Sequence, residues 1–96
     1  MSPRSRWTFL TNHAAVLIQV AHSPDLTVRE IATRIGITER AAHRILKTLI
    51  ESGYLQRRRV GRRNNYYVSR NKHLRHPEFA HIEIHPLLEA LGTHRP

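Results

Sequence analysis

Residues 38–53 read TERAAHRILKTLIESG, and their spacing predicts a helix with two unlike faces. Ala42, Leu46, Leu49 and Gly53, flanked by Ile45 and Ile50, recur on one small, apolar side. Arg40, His43, Arg44 and Lys47 recur on a polar, mostly cationic side. A helix anchored through one face and offering a row of donors on the other can lie in a DNA major groove. The same alternation also describes an ordinary solvated helix. The flanking segments therefore have to decide between the two readings.

Upstream, Thr27-Val28-Arg29-Glu30 has capping-box spacing: the Thr hydroxyl can serve the Glu30 amide while the Glu30 carboxylate reaches back. Val28, Ile31, Ala32 and Ile35 make the buried stripe of a short second helix. Gly36 supplies the left-handed residue that closes it, and Ile37 plugs the corner. Thr38 then opens the third helix as its N-cap. A short capped helix, a glycine-containing turn and a longer amphipathic helix make a helix-turn-helix, whose turn forces the far face of the last helix outward. Before it, Leu10, Ala14, Leu17, Ile18 and Ala21 predict a first helix from Trp7 to about His22. Ser23-Pro24-Asp25 ends that helix. Trp7 and Phe9 are read as core or dimer-interface aromatics rather than as a stacking platform. Residues 1–6 are expected to be a flexible basic arm.

Downstream, residues 54–60 and 66–68 read as two strands joined by a polar turn at 61–65, Gly-Arg-Arg-Asn-Asn. Arg57, Arg58, Arg59, Arg62 and Arg63 crowd this hairpin. Their mutual repulsion disfavours it in isolation, and an anionic partner would offset that. Residues 69–76 read as a linker. His76-Pro77-Glu78 then starts a helix carrying Phe79, Ile82 and Ile84. Pro86 is expected to break or kink it, with a further turn or two bearing Leu87, Leu88 and Leu91 before Gly92. The fold class is thus α+β, mainly α: a three-helix core that ends in a helix-turn-helix, followed by a two-stranded hairpin and a C-terminal helix. The expected organisation is the arm at 1–6, the DNA-binding domain at 7–69, and a linker with a dimerising C-terminal helix at 70–96.

Composition narrows the partner. The 96 residues suffice for one small domain with a modest core, and 16 Lys and Arg against 7 acids leave a formal charge of +9. That balance is the footprint of a polyanion partner, without separating DNA, RNA and anionic membrane surface. Cysteine is absent, which removes disulfides, thiolate metal sites and cysteine nucleophiles. The longest apolar run, at 14–21, is too short to span a bilayer and lacks a signal-cleavage pattern. A soluble cytoplasmic protein is expected.

Taken together, TVREIATRIGI, TERAAHRILKTLIESGYL and the basic hairpin ending GRRNNYYV resemble the winged helix-turn-helix domains of MarR- and ArsR-type transcription regulators. The likeness is greatest to small stand-alone members. Their WTFLTNHA-like opening, GRRN-type wing and LRHP-type start to the last helix stand here at 7–14, 61–64 and 74–77. The resemblance implies a recognition helix at 38–52 in the major groove and a wing at 57–65 on the backbone or minor groove. Position by position, it implies that Thr38, Arg40, Ala41, His43, Arg44 and Lys47 face DNA, with Glu39 beside them. Arg62, Arg63 and Asn64 match the wing tip, and Arg58 joins them from the first strand. Glu39 would accept from a cytosine amino group or simply favour the helix N-terminus. Larger MarR regulators add helices that build the dimer and shelter a ligand. Little sequence remains here for such a pocket, so a small-molecule effector is not expected.

Other chemistries have weaker footing. Glu78, His81 and His85 would share a helix face at i, i+3 and i+7, a conceivable zinc site completed across a dimer; surface histidines are the plainer reading, and no cofactor is expected. No nucleophile elbow, phosphate loop or paired carboxylates point to an enzyme, and no concave pocket is evident. Three readings stay open: a sequence-specific, homodimeric regulator binding double-stranded DNA; a nonspecific or architectural nucleic-acid binder; and a winged-helix protein-interaction module. The charge argues against the third.

Overall fold

A computed structural model describes residues 7–69 and 71–92, so the expected arm at 1–6 lies outside the described residues. Four helices and one hairpin follow in order. These are α1 (Asn12–His22), α2 (Val28–Ile35), α3 (Glu39–Glu51), β1 (Leu55–Val60), β2 (Arg63–Val68), a 3-10 turn (Pro77–Phe79) and α4 (Ile84–Gly92). The fold class is the expected one.

The first helix starts later than its periodicity suggests. Thr11 is its N-cap, its hydroxyl accepting from Ala14 N at 3.1 Å, and Trp7 and Phe9 stay outside the helix. They are 67% and 91% exposed, so neither joins the core. They stack edge to face with ring centroids 4.9 Å apart.

The capping box before α2 is complete. Glu30 N donates to the Thr27 hydroxyl at 3.1 Å, and Thr27 N donates to the Glu30 carboxylate at 2.9 Å. Gly36, at φ +83°, ends α2 with its amide on Ala32 O, and the Ile37 amide shares that acceptor at 3.0 Å. Thr38 caps α3 through Ala41 N. The helix-turn-helix is thus bounded by two Thr caps around one left-handed glycine.

The core gathers Val16, Leu17 and Val20 of α1, Ile31 and Ala32 of α2, and Ala42, Ile45, Leu46 and Leu49 of α3. Leu55 and Tyr66 join from the hairpin, and Ile84 and Leu88 from α4. No charged side chain is buried among the described residues. Because Ile84 and Leu88 belong to the same cluster and α4 packs on α1, the C-terminal helix completes this core.

Two expectations about the second half are corrected. The hairpin turn is two residues, Gly61-Arg62, not five: β1 and β2 pair from Leu55–Val68 through to Val60–Arg63. Gly61, at φ +62°, supplies the positive φ at the first central position while Arg62 keeps a negative one, the combination of a type II′ turn. One glycine suffices for reversal, which leaves Arg63, Asn64 and Asn65 free to pair. The C-terminal helix also neither starts at His76 nor breaks at Pro86. Residues 77–79 form a single 3-10 turn, and Phe79 and Ile82 remain exposed. Pro86 is the third residue of α4, where the backbone has no intrahelical acceptor to lose. Ile84 N instead bonds Lys72 O and Leu74 N bonds Ile82 O, clasping the former linker to the start of α4. No described helix is long and apolar enough to cross a membrane.

The Thr27 hydrogen bonds, backbone first, hold the Glu30 carboxyl below its ordinary value of 4.5, helped by Arg63 and Arg34. A depressed carboxyl pKa stabilises the fold above about 4.5, and the contribution is lost as pH falls through the folded value. Glu30→Ala is therefore expected to melt lower than wild type at pH 7, with the gap closing towards pH 3. Thermal melts across that range check it.

Candidate nucleic-acid interface

The outward face of α3 follows from its inward one. Ala42, Ile45, Leu46 and Leu49 are buried, so Arg40, His43, Arg44 and Lys47 stand exposed on the remaining arc. Arg40, His43 and Arg44 make no side-chain hydrogen bond or ion pair among the described residues. Lys47 sits 4.0 Å from Glu51, one turn along. Thr38 is differently employed: its hydroxyl is the helix cap. Ala41 is half-buried at the edge of the cationic arc. Glu39, the first residue of α3, accepts from Arg29 Nε at 3.1 Å. Arg29 was legible in the sequence only as part of the capping box.

The hairpin sorts its arginines by face. Leu55, Arg57 and Arg59 share one side with Val68, Tyr66 and Asn64; Gln56, Arg58 and Val60 share the other with Tyr67, Asn65 and Arg63. Burial pushes the Tyr66 hydroxyl above its usual value of 10, and neighbouring Arg57 opposes that shift. Arg58 lies over the Tyr67 ring, 5.2 Å from its centroid, a cation–π contact that stiffens the exposed side. Arg59 Nε bonds Gly61 O at 3.3 Å across the turn. Arg62 projects from the turn without a side-chain partner among the described residues. Asn64 is exposed on β2 opposite Arg59.

Arg63 is not a free tip residue. Its Nη2 donates to Asp25 O at 2.9 Å, and three residues further along β2, Tyr66 N donates to Pro24 O at 3.0 Å. The hairpin is thereby tied to the loop between α1 and α2, beside a cleft of about 210 Å3 bordered by Leu26, Val28, Arg62 and Arg63. These acceptors are backbone carbonyls, which no side-chain pattern announces.

Glu78, His81 and His85 fail to share a helix face. Glu78 lies in the 3-10 turn, His81 in the following turn, and His85 in α4, 3.4 Å from Glu89. Among the described residues no three His, Cys, Asp or Glu side chains are grouped to hold a metal. A cleft of about 360 Å3 does open where α1, β2 and α4 meet, bordered by His22, Tyr66, Tyr67, His85 and Leu88. No such concavity was legible in the sequence, since its walls come from three distant segments.

Residues 8–63 match the model of the MarR family. The chain belongs to the MarR family. Among solved structures it is similar to reduced HlyU from Vibrio cholerae N16961, at 18% identity and a TM-score of 0.58 over 85% of this chain and 74% of that one. It is also similar to the zinc-dependent MarR family transcriptional regulator AdcR in its Zn(II)-bound state, at 21% identity and a TM-score of 0.50, covering 72% of this chain and 49% of AdcR. At these identities the two likenesses show the winged-helix fold. No curated protein matches the chain by sequence.

The Arg63 tether has a measurable consequence. Arg63→Ala is expected to speed amide hydrogen exchange across residues 58–65 while the core of α1 and α3 keeps its protection. The cost in global stability should stay within about 1 kcal/mol for a single exposed hydrogen bond.

Proposed function

We propose that this MarR-family protein is a DNA-binding transcriptional regulator. In this reading, residues 38–52 enter the major groove and the wing at 57–65 follows the flanking backbone or minor groove. One observation carries it. The helix whose apolar stripe is buried in the core presents three unpartnered donors, Arg40, His43 and Arg44, on a domain that also holds an arginine hairpin against its α1–α2 loop. A solvated helix face has no need of a tethered wing. Base-edge readout and phosphate anchoring need such a division: donors on a rigid helix for sequence, guanidinium groups on a hairpin for position. The family assignment supports DNA-binding transcriptional regulation.

Thr38 contributes through its cap, fixing the helix N-terminus that approaches the groove. Ala41, small and at the rim, permits close approach. Arg44 and Arg40 are the base-reading candidates. Lys47, Arg58, Arg62, Arg63 and Asn64 are assigned to the backbone, with Arg63 also holding the wing. The unit at 7–69 makes these contacts, and 70–96 serves a homodimer. Trp7, Phe9, Phe79, Ile82 and Leu91 are large apolar side chains left exposed on the single chain, and they support such an interface. Two-fold symmetry then gives two half-sites about one helical turn apart.

Arg44→Ala is expected to relax sequence preference, costing about 1–3 kcal/mol at the preferred site. Arg62→Ala should weaken all sequences alike and lower the salt slope of binding by about one. Titrations of selected and scrambled duplexes across a salt series check both. Equal losses on both duplexes for both variants would favour an architectural binder.

A further inference from the structure

Both acidic residues of α3 are paired, but the two pairs differ in kind. Glu51 meets Lys47 along the same helix, an ordinary i, i+4 contact. Glu39 is held from another helix: Arg29 of α2 donates Nε–H to Oε2, with the two side chains 82% and 51% exposed. A pair so exposed adds little to folding. Its geometry leaves more than it uses. The two terminal nitrogens of the Arg29 guanidinium and Oε1 of Glu39 have no hydrogen-bond partner among the described residues. A two-pronged donor from α2 and a lone acceptor from the first residue of α3 therefore stand side by side, next to Arg40.

We infer that Glu39, oriented by Arg29, is a specificity-determining residue of the DNA interface, accepting from the exocyclic amino group of cytosine. This rests on the DNA-binding reading proposed above. In the major groove guanine offers two acceptors and thymine an acceptor with a methyl group, so a carboxylate gains nothing from either. Adenine couples its amino donor to the N7 acceptor, which repels the second oxygen. Cytosine presents an amino donor alone. Arg29 answers the difficulty such a carboxylate meets beside a polyanion: its charge offsets Glu39, and its free nitrogens can donate to the adjacent phosphate. Arg29 is thus a positioning residue, and Glu39 the one that touches the base.

The test is a random-duplex selection with sequencing, run on wild type, Glu39→Ala, Glu39→Gln and Arg29→Ala, with thermal melts to confirm folding. Wild type is expected to select cytosine at one position per half-site. Glu39→Ala should lose preference there, on the order of tenfold, and keep it elsewhere. Glu39→Gln, which adds a donor to the acceptor, should shift that position towards adenine. Arg29→Ala should weaken binding to every sequence and blur the same position. A wild-type selection whose every preference survives Glu39→Ala and Glu39→Gln overturns the role of Glu39 while leaving DNA binding intact. A wild type that binds duplexes but selects nothing overturns the role of Glu39, and one that binds no duplex at low salt overturns both.

Discussion

Everything on the outer surface depends on how α3 is seated. Ala42 is fully buried and Ile45, Leu46 and Leu49 nearly so, on a helix that packs against α1, α2 and β1. Four inward positions at helical spacing leave α3 no rotational freedom: turning it would expose apolar surface worth about 25 cal/mol per Å2. Ala42 matters for its smallness, since a larger side chain there would push α3 off the core and move every outward donor with it. The orientation of Arg40, His43, Arg44 and Lys47 is thus a by-product of burial on the opposite side.

The wing is held by a different kind of force. Leu55 and Tyr66 root the hairpin in the core, but its distal half is exposed and carries like charges. What holds that half in place is polar: Tyr66 N on Pro24 O, Arg63 on Asp25 O, Arg59 across the turn, and Arg58 over Tyr67. Each is worth little alone. The first two join the hairpin to the loop that precedes α2 and the other two brace it internally, so wing and helix-turn-helix share one frame. A hairpin hinged only at its base would present its arginines over a range of positions. The tethered one offers them at a defined offset from α3.

Much of this was legible in the sequence because it rests on local rules. The Thr27–Glu30 box, the left-handed Gly36 and the Thr38 cap are short-range chemistry, and the α3 stripe is a periodic signal over thirteen residues. The failures share a cause. Apolar residues before Thr11 continue the helical rhythm, yet a capping hydroxyl overrides it, and Trp7 and Phe9 fall outside. Pro86 reads as a helix breaker although the same residue is harmless in a first turn. Only the clasp of Lys72 and Leu74 onto Ile82 and Ile84 decides which role it takes. The tethers of Arg63 and the Arg29–Glu39 pair join residues 38 and 10 positions apart. No periodicity encodes such contacts.

In the proposed reading, the core-opposed face of α3 and the hairpin turn together form the DNA-contacting surface. An NMR titration of the labelled protein with a duplex, followed through backbone amides and arginine side chains, tests it most directly. The largest shifts are expected on residues 38–47 and on Gly61 and Arg62, with Ile84–Gly92 little affected. Shifts concentrated on α4 and the 3-10 turn, with Arg40, Arg44 and Arg62 unmoved, would contradict it.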